Sequence, residues 1–169
     1  MGDRITIPGT YVAETELTAS DLNANLRDNM SNIDAGYGCR VATTTTQTFA
    51  TATWTALTFD AETFDDDVMH SNVTNNSRIT IKSDGRYLII GSAKFRYSNV
   101  VNRALAIYKN GAVVFVNGTF PPYAADFDWV NIVCVLPLEA DDYIELYGYH
   151  TRGLNYDVYD RSLSVTKYI

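Results

Sequence analysis

Residues suited to acid–base, nucleophilic or metal chemistry are few in this sequence and stand far apart. The two histidines are His70, beside Met69 in a polar stretch, and His150, at the end of a strand pattern. No nucleophile-elbow motif accompanies them, and the 10 glycines are scattered rather than gathered into a phosphate-binding loop. Glycoside hydrolysis needs two opposed carboxylates, and the spacing of the acids nominates no pair. We therefore interpret both histidines as ordinary surface or loop residues and predict that the protein is not an enzyme.

Acidic side chains are the other groups that could do chemistry, as ligands for a cation. They cluster at 65–67 (Asp-Asp-Asp) and at 141–142 (Asp-Asp). Ca²⁺ takes about six to eight oxygen ligands, but neither cluster has the Asp-x-Asp-x-Asp-Gly spacing of a calcium loop. We favour solvated turns and strand ends for both clusters and predict no cofactor, with Ca²⁺ binding as the alternative.

The composition excludes several classes of partner. The formal net charge is −7 at pH 7, and the 13 lysines and arginines never form a run. Because nucleic-acid binding needs clustered basic residues to neutralise phosphates, we expect no nucleic-acid partner. No stretch approaches the roughly 18 apolar residues of a membrane span, and the N-terminus carries no secretion signal. We therefore expect neither membrane association nor export, and we interpret Cys39 and Cys134 as separate thiols, with a disulfide as the less favoured alternative.

The elements that must position these side chains are strands from about residue 39 onward. Residues 87–97 alternate over two faces, one of which carries Tyr87, Ile89 and Phe95, and that period of two predicts a strand. Asn110-Gly111 lies between two apolar runs, as in a β-hairpin. Residues 129–138 are apolar on both faces, which predicts a strand sandwiched in the core. With weaker candidates this gives about eight to ten strands, enough for an all-β sandwich or jelly roll, and 60–77 and 117–127 are predicted loops.

Tyrosines near the C-terminal end are the candidate ligand-binding or interface residues. They are Tyr147, Tyr149, Tyr156 and Tyr159. We favour a place in the core or at a subunit interface for such an aromatic stripe. Stacking on sugar rings is the alternative, because an aromatic ring offers an apolar face with a polar edge.

Residues 1–38 differ from the rest and contain the only helical pattern, over about 19–35. The apolar residues recur at spacings of three, four and seven, with a polar residue in the missing step; the candidate anchor or trimer residues are Leu22, Leu26, Asn29 and Ile33. One interpretation is an amphipathic helix packed on its own domain, and the other is a short coiled coil in which Asn29 sets the register. We predict an N-terminal anchor over 1–38 and a β-domain over 39–169.

Several motifs over residues 40–169 together resemble C1q/TNF-like domains. They are the stretch 54–65 with Trp54 and Phe59-Asp60, the entry Ser83-Asp84-Gly85-Arg86-Tyr87 into a long strand, the Asn110-Gly111 turn, and Leu138-Glu-Ala-Asp-Asp-Tyr-Ile144, where Asp141 replaces the usual glycine. The resemblance implies a ten-stranded jelly roll that forms a homotrimer through aromatic-rich faces and serves in recognition. Some members hold Ca²⁺ near the trimer axis, but no ligand set transfers to this sequence.

Residues 17–28, Leu-Thr-Ala-Ser-Asp-Leu-Asn-Ala-Asn-Leu-Arg-Asp, resemble the opening of tailed-bacteriophage tail, baseplate and fibre proteins. This resemblance implies a structural protein of a bacteriophage virion, folded in the bacterial cytoplasm and attached to tail or capsid beside other virion proteins. The β-domain is then expected to contact host-surface glycans or neighbouring virion proteins. The alternatives are a capsid decoration protein that stabilises the shell and a bacterial adhesin; a glycan hydrolase is the least favoured.

Overall fold

A computed structural model describes residues 37–96, 102–119 and 127–168. These residues form strands and connecting turns, which confirms the predicted all-β class. The predicted helix over 19–35, with Leu22, Leu26, Asn29 and Ile33, lies outside the described residues. The strands are β1 (Gly38–Thr43), β2 (Gln47–Phe49), β3 (Thr55–Ala56), β4 (Ala61–Asp65), β5 (Arg78–Thr80), β6 (Gly85–Arg96), β7 (Arg103–Lys109), β8 (Ala112–Thr119), β9 (Phe127–Leu138), β10 (Tyr143–His150) and β11 (Tyr156–Tyr168).

The strands form two antiparallel sheets that pack face to face. Sheet A has the order β4-β1-β11-β6-β9, with β2 also paired to β11, and sheet B has the order β3-β10-β7-β8, with β5 paired to β10. The first described strand lies beside the last one, and β6 and β9 are neighbours although two strands of the other sheet separate them in sequence. Strand β9 therefore ends sheet A, and β8 ends sheet B.

Strand β6 shows how the period-two pattern builds the core. Tyr87, Ile89, Ala93 and Phe95 point between the sheets and are almost fully buried, whereas the intervening side chains face outward. The alternation predicted for this segment is confirmed over its described part. Buried apolar area of this kind supplies most of the favourable free energy of folding.

Gly91 marks a place where the two sheets approach closely. A Cβ atom at this position would lie 2.7 Å from Leu146 Cδ1 in sheet B and 2.8 Å from Ile132 Cγ2 on β9. Both distances are well inside van der Waals contact between carbon atoms. Only a residue without a side chain fits here.

The predicted hairpin between β7 and β8 is confirmed. Asn110 and Gly111 have φ values of 52° and 78°, as a two-residue turn of type I′ requires. The Asn110 side chain also ties this turn to β10, because its Nδ2 donates to Asp142 Oδ1 at 2.6 Å and its Oδ1 accepts from the Tyr143 amide at 2.9 Å.

Two segments predicted as loops contain strand residues. The segment 60–77 includes β4, which pairs with β1 at an edge of sheet A, and the segment 117–127 includes the end of β8 and the first residue of β9. The sequence pattern did not predict strand β4, because four of its five residues are exposed. A strand with no buried face shows no apolar alternation.

The prediction of a fully sandwiched strand over 129–138 is wrong. Strand β9 lies at the edge of sheet A, where Val130 and Ile132 face the core while Val133 and Val135 are each 54% exposed. Both faces are apolar, as the sequence indicated, but only one of them is covered by this chain.

Candidate interaction surfaces

Among the described residues, large exposed apolar side chains are concentrated on the edge strands β8 and β9 and on the neighbouring strand β6. They share an exposed fraction of roughly one half and come from the outer faces of β6 and β9 and from β8. We call them together the β8–β9 surface: Ile90, Val113, Val114, Phe115, Val116, Trp129, Val133 and Val135.

Backbone pairing brings parts of this surface together. Ile90 is directly opposite Val133 in the β6–β9 ladder, and side chains so placed on one sheet face are in contact. The two edge strands are joined across the sandwich by Asn117 Nδ2, which donates to Asn131 O at 2.6 Å. The edge strands of sheet A and sheet B thus lie close together at one end of the molecule.

Polar groups border the apolar part on sheet A. The hydroxyls of Ser92 and Ser162 are 3.0 Å apart. Lys94 Nζ lies 3.2 Å from Asp160 Oδ2 and 6.0 Å from the centre of the Trp129 ring. An apolar centre with a polar border is the usual composition of a protein–protein interface.

A second surface, the aromatic row, covers the outer face of sheet B. Tyr147 stacks on Tyr108 with ring centres 3.8 Å apart, and Tyr149 lies 5.0 Å from Trp54. Tyr143 continues the row on the same face of β10, whose other face turns into the core. Burial raises the pKa of Tyr147, with a smaller contribution from Glu145, so its hydroxyl stays protonated.

The four predicted tyrosines are not brought together. Tyr147 and Tyr149 belong to the aromatic row, and Tyr159 lies on β11 in the other sheet. Tyr156 is fully buried in the core, which is one of the two places favoured for these tyrosines. Its hydroxyl accepts from Arg103 Nε at 3.3 Å and Nη2 at 3.0 Å and donates to the Arg96 carbonyl. Because these partners, which are far away in the sequence, satisfy the hydrogen-bonding capacity of the hydroxyl, the ring can be buried without an unpaired polar group.

Both histidines are buried. His70 lies in the β4–β5 loop, one of the two expected settings, whereas His150 ends strand β10 and is not on the surface. His150 Nε2 is 3.1 Å from the Phe49 carbonyl, and its Nδ1 accepts from the Arg152 amide at 3.3 Å, so the ring is neutral with the proton on Nε2. Burial lowers the pKa of His150. His70 Nδ1 is 3.0 Å from Glu62 Oε1, and its Nε2 is 3.2 Å from the Asn76 carbonyl. Through these contacts the His150 ring connects β10 to the backbone at Phe49 and Arg152, and the His70 ring connects its loop to Glu62 and Asn76.

Acidic side chains near residue 65 organise the backbone. Asp65 accepts from the Met69 amide at 2.8 Å and from the His70 amide at 3.0 Å. Within the described residues, no three His, Cys, Asp or Glu side chains come together as metal ligands. The same part of the chain contains no helix long and apolar enough to cross a membrane.

The two cysteines are free thiols. Burial, helped by the negative charges of Asp65, Glu62 and Asp66, raises the pKa of Cys39 to about 12. The thiolate is the reactive form of cysteine, so Cys39 is held in an unreactive state and serves as a small apolar core residue.

Comparisons with known proteins agree on the fold. No family model and no curated protein sequence matches the chain. The globular domain of zebrafish complement 1qA is similar with a TM-score of 0.60 and 15% identity over 79% of this chain and 97% of that one. Eiger TNF from S. frugiperda gives 0.57 and 8% over 79% and 93%, and murine APRIL gives 0.55 and 10% over 78% and 98%. The chain has a C1q/TNF-like jelly-roll fold, as the motifs over 40–169 predicted.

Proposed function

We propose that this chain is a non-enzymatic binding module that assembles as a homotrimer through the β8–β9 surface. The observation that carries this proposal is the exposure of about half of each apolar side chain on that surface, such as Val133 and Val135 at 54%. Soluble monomers rarely leave large apolar patches exposed, and such patches usually mark a protein interface. A second copy of the same chain is the occupant that we propose.

A ring of three copies is supported by the position of the apolar residues on two different surfaces. Ile90 and Val133 lie on the outer face of sheet A, whereas Val113 and Phe115 lie on the edge strand β8 of sheet B. When two different surfaces of one chain meet, the contact is heterologous and closes into a ring at a suitable rotation. The resemblance to C1q/TNF-like domains supports three as the number of copies.

The test of the trimer is a charge placed in the β8–β9 surface. In a trimer, Val133→Glu buries one carboxylate in each subunit, at a cost of about several kcal/mol per unpaired ion. Light scattering after gel filtration is expected to give three times the chain mass of 18.8 kDa for the wild type and a single chain for the variant. Val73→Glu is the matched control, because Val73 is 92% exposed in the β4–β5 loop. A wild type that stays monomeric at micromolar concentration refutes the trimer.

We also propose that the trimer is a bacteriophage virion component, anchored through residues 1–38 to tail or capsid. The support is the resemblance of residues 17–28 to tail and fibre proteins. Removing residues 1–38 is expected to leave a folded β-trimer, measured by circular dichroism and light scattering, that no longer joins particles. A truncated chain that fails to fold contradicts the division into anchor and head.

Contact with host-surface glycans is the binding role that we propose for the virion component. It is supported by the aromatic row, because aromatic faces stack on sugar rings. Particles that lack the protein are expected to adsorb less to host cells. Unchanged adsorption, combined with less stable capsids, instead identifies a capsid decoration protein.

A further inference from the structure

A concave pocket opens at the edge of sheet B that is remote from β8. It lies between the β4–β5 loop (residues 66–77) and the strands β5 and β10, and its volume is about 240 Å³. Pockets for drug-sized ligands are larger, from about 300 Å³ upward. This pocket therefore fits one small unit, such as a single sugar ring.

The pocket contains one permanent cation and no carboxylate in its lining. Arg78 Nε lies 3.4 Å from Glu145 Oε1, and its guanidinium carbon lies 4.1 Å from the centre of the Tyr143 ring. Glu145 is buried and accepts a second hydrogen bond from Ser77 Oγ at 2.6 Å. The guanidinium is thus held from two sides, while its two terminal nitrogens have no hydrogen-bond partner among the described residues. This is the donor pair that binds a carboxylate in bidentate fashion.

Hydroxyl and amide groups complete the lining. They belong to Ser71, Thr74, Asn75 and Thr80, while Tyr143 also lines the pocket but has its hydroxyl beside Gly111 in the β7–β8 turn. The Ser71 oxygen accepts from the Thr74 amide at 3.1 Å, which leaves the hydroxyl proton of Ser71 to be donated elsewhere. One guanidinium surrounded by neutral donors and acceptors complements a ligand that carries one carboxylate and several hydroxyls.

The loop side of the pocket is preorganised. Val68 and Asn75 have φ values of 52° and 51°, a region that asparagine tolerates but that is strained for a β-branched valine. Asp65 holds the backbone beside Val68 through its bonds to the next two amides, and His70 Nε2 holds the Asn76 carbonyl at 3.2 Å. Strain that is maintained by surrounding contacts is concentrated at binding sites.

We propose that this pocket binds one acidic sugar unit of a polysaccharide, a hexuronic acid whose carboxylate pairs with Arg78. The aromatic row continues from the pocket, because Tyr147 lies four residues beyond Tyr143 on the same face of β10, about 13 Å away. A neighbouring sugar ring of the same chain can stack there. This inference rests on the proposed binding role, since it names the ligand class, but not on the trimer.

The pocket stays open in the proposed trimer. Along sheet B the order is β5, β10, β7 and β8, so the Arg78 strand lies three strand spacings, about 14 Å, from the edge that would be covered.

The test is a titration of the ¹⁵N-labelled full chain with D-glucuronate, followed by amide chemical shifts. We expect shifts over residues 68–80 and a dissociation constant of about millimolar, because a single sugar offers few atoms for contact. D-glucose has the ring without the carboxylate, and acetate has the carboxylate without the ring. Both are expected to bind at least about tenfold more weakly, since each lacks one half of the recognition. Equal binding of acetate, or no binding of glucuronate, overturns the proposal.

Variants assign the binding to this pocket. Arg78→Gln is expected to weaken glucuronate binding at least about tenfold, because a charged hydrogen-bond pair is lost. Thr80→Val replaces one hydroxyl-bearing residue of the lining but keeps the shape of the side chain, and it is expected to weaken binding about threefold. Arg152→Gln is the matched control outside the pocket and is expected to change nothing. If Arg78→Gln unfolds, which its amide spectrum will show, Arg78→Lys and Thr80→Val decide. Unchanged affinity in both overturns the proposal.

Light scattering on the same samples separates this inference from the proposed assembly. A trimer that binds none of the probes refutes the pocket alone. A monomer that binds glucuronate refutes the assembly alone.

Discussion

A single added methyl group at Gly91 will test how closely the two sheets approach. In Gly91→Ala the new Cβ lies 2.7 Å from Leu146 Cδ1, 2.8 Å from Ile132 Cγ2 and 3.2 Å from Leu146 Cδ2. Both neighbours are completely or almost completely buried, so neither side chain can move aside without disturbing the core. Overpacking of this kind costs about 1–3 kcal/mol.

The assay is urea and thermal unfolding at one fixed protein concentration, because an oligomer's stability depends on concentration. For a chain of this length we expect the Tm to fall by about 2–12 °C, from the range of costs and of entropies of unfolding. Gly118→Ala is the matched control, since its nearest neighbours would lie 3.5 Å from the new Cβ on the exposed strand β8. That variant is expected to be neutral or slightly stabilising, because glycine loses more backbone entropy than alanine on folding.

A double-mutant cycle decides whether the close contact is the cause. Leu146→Ala removes both Cδ atoms that the added methyl group meets, so the cost of Gly91→Ala should be smaller in that background by about 1 kcal/mol or more. Full stability of Gly91→Ala, or strict additivity of the two substitutions, refutes the close approach at this point.

Two further predictions concern a buried ring and a turn. The lowered pKa of His150 means that its contribution to stability is present above the ordinary value of 6.5 and is lost as the pH falls through the folded-state pKa. Ring ¹⁵N shifts should show a neutral ring that donates to Phe49, and a ring that titrates at or above 6.5 contradicts this. Asn110→Gly retains the positive φ but loses the bonds to Asp142 and Tyr143. We expect urea unfolding to show a loss of about 1–3 kcal/mol, and an unchanged midpoint would mean that these bonds contribute nothing.

Structural features that are determined by residues close together in the sequence could be predicted from the sequence alone. The alternation around Ile89 marks β6, and Asn110-Gly111 marks the hairpin after β7, because side-chain period and turn geometry are local properties. The order of such local motifs also led to the jelly-roll prediction. The strand β4 was missed because the four exposed residues among its five give no period to detect.

The error at β9 has a different physical origin. Apolar residues on both faces of a strand indicate that both faces are shielded from water. They do not indicate whether the same chain or another molecule covers each face. Val133 is apolar like the core residue Ile132, although only Ile132 is covered by this chain. A signal was present in Val113-Val114-Phe115-Val116, where four consecutive apolar residues on an edge strand break the alternation expected of a half-buried strand.

The candidate pocket and the burial of Tyr156 depend on pairs that are far apart in the chain. Tyr156 and Arg103 are separated by 53 residues, and Arg78 and Glu145 by 67. Nothing in the spacing of these residues indicates their contacts. Tyr156 meets Arg103 only when the two sheets pack together, and Arg78 meets Glu145 only when β5 and β10 pair in one register. The pocket therefore could not have been found without the structure.

The placement of the Arg78 pocket away from the β8 edge has a consequence for how tightly a polymer is held. In the proposed trimer three equivalent pockets face outward, and one polysaccharide that reaches two of them turns the second contact into an intramolecular event. Avidity from such linkage exceeds the affinity of a single site by about 10²–10⁴-fold. Each weak contact can then open and close rapidly while a second pocket of the same trimer keeps the polymer bound, so that the trimer can move along a repeating polymer without leaving it.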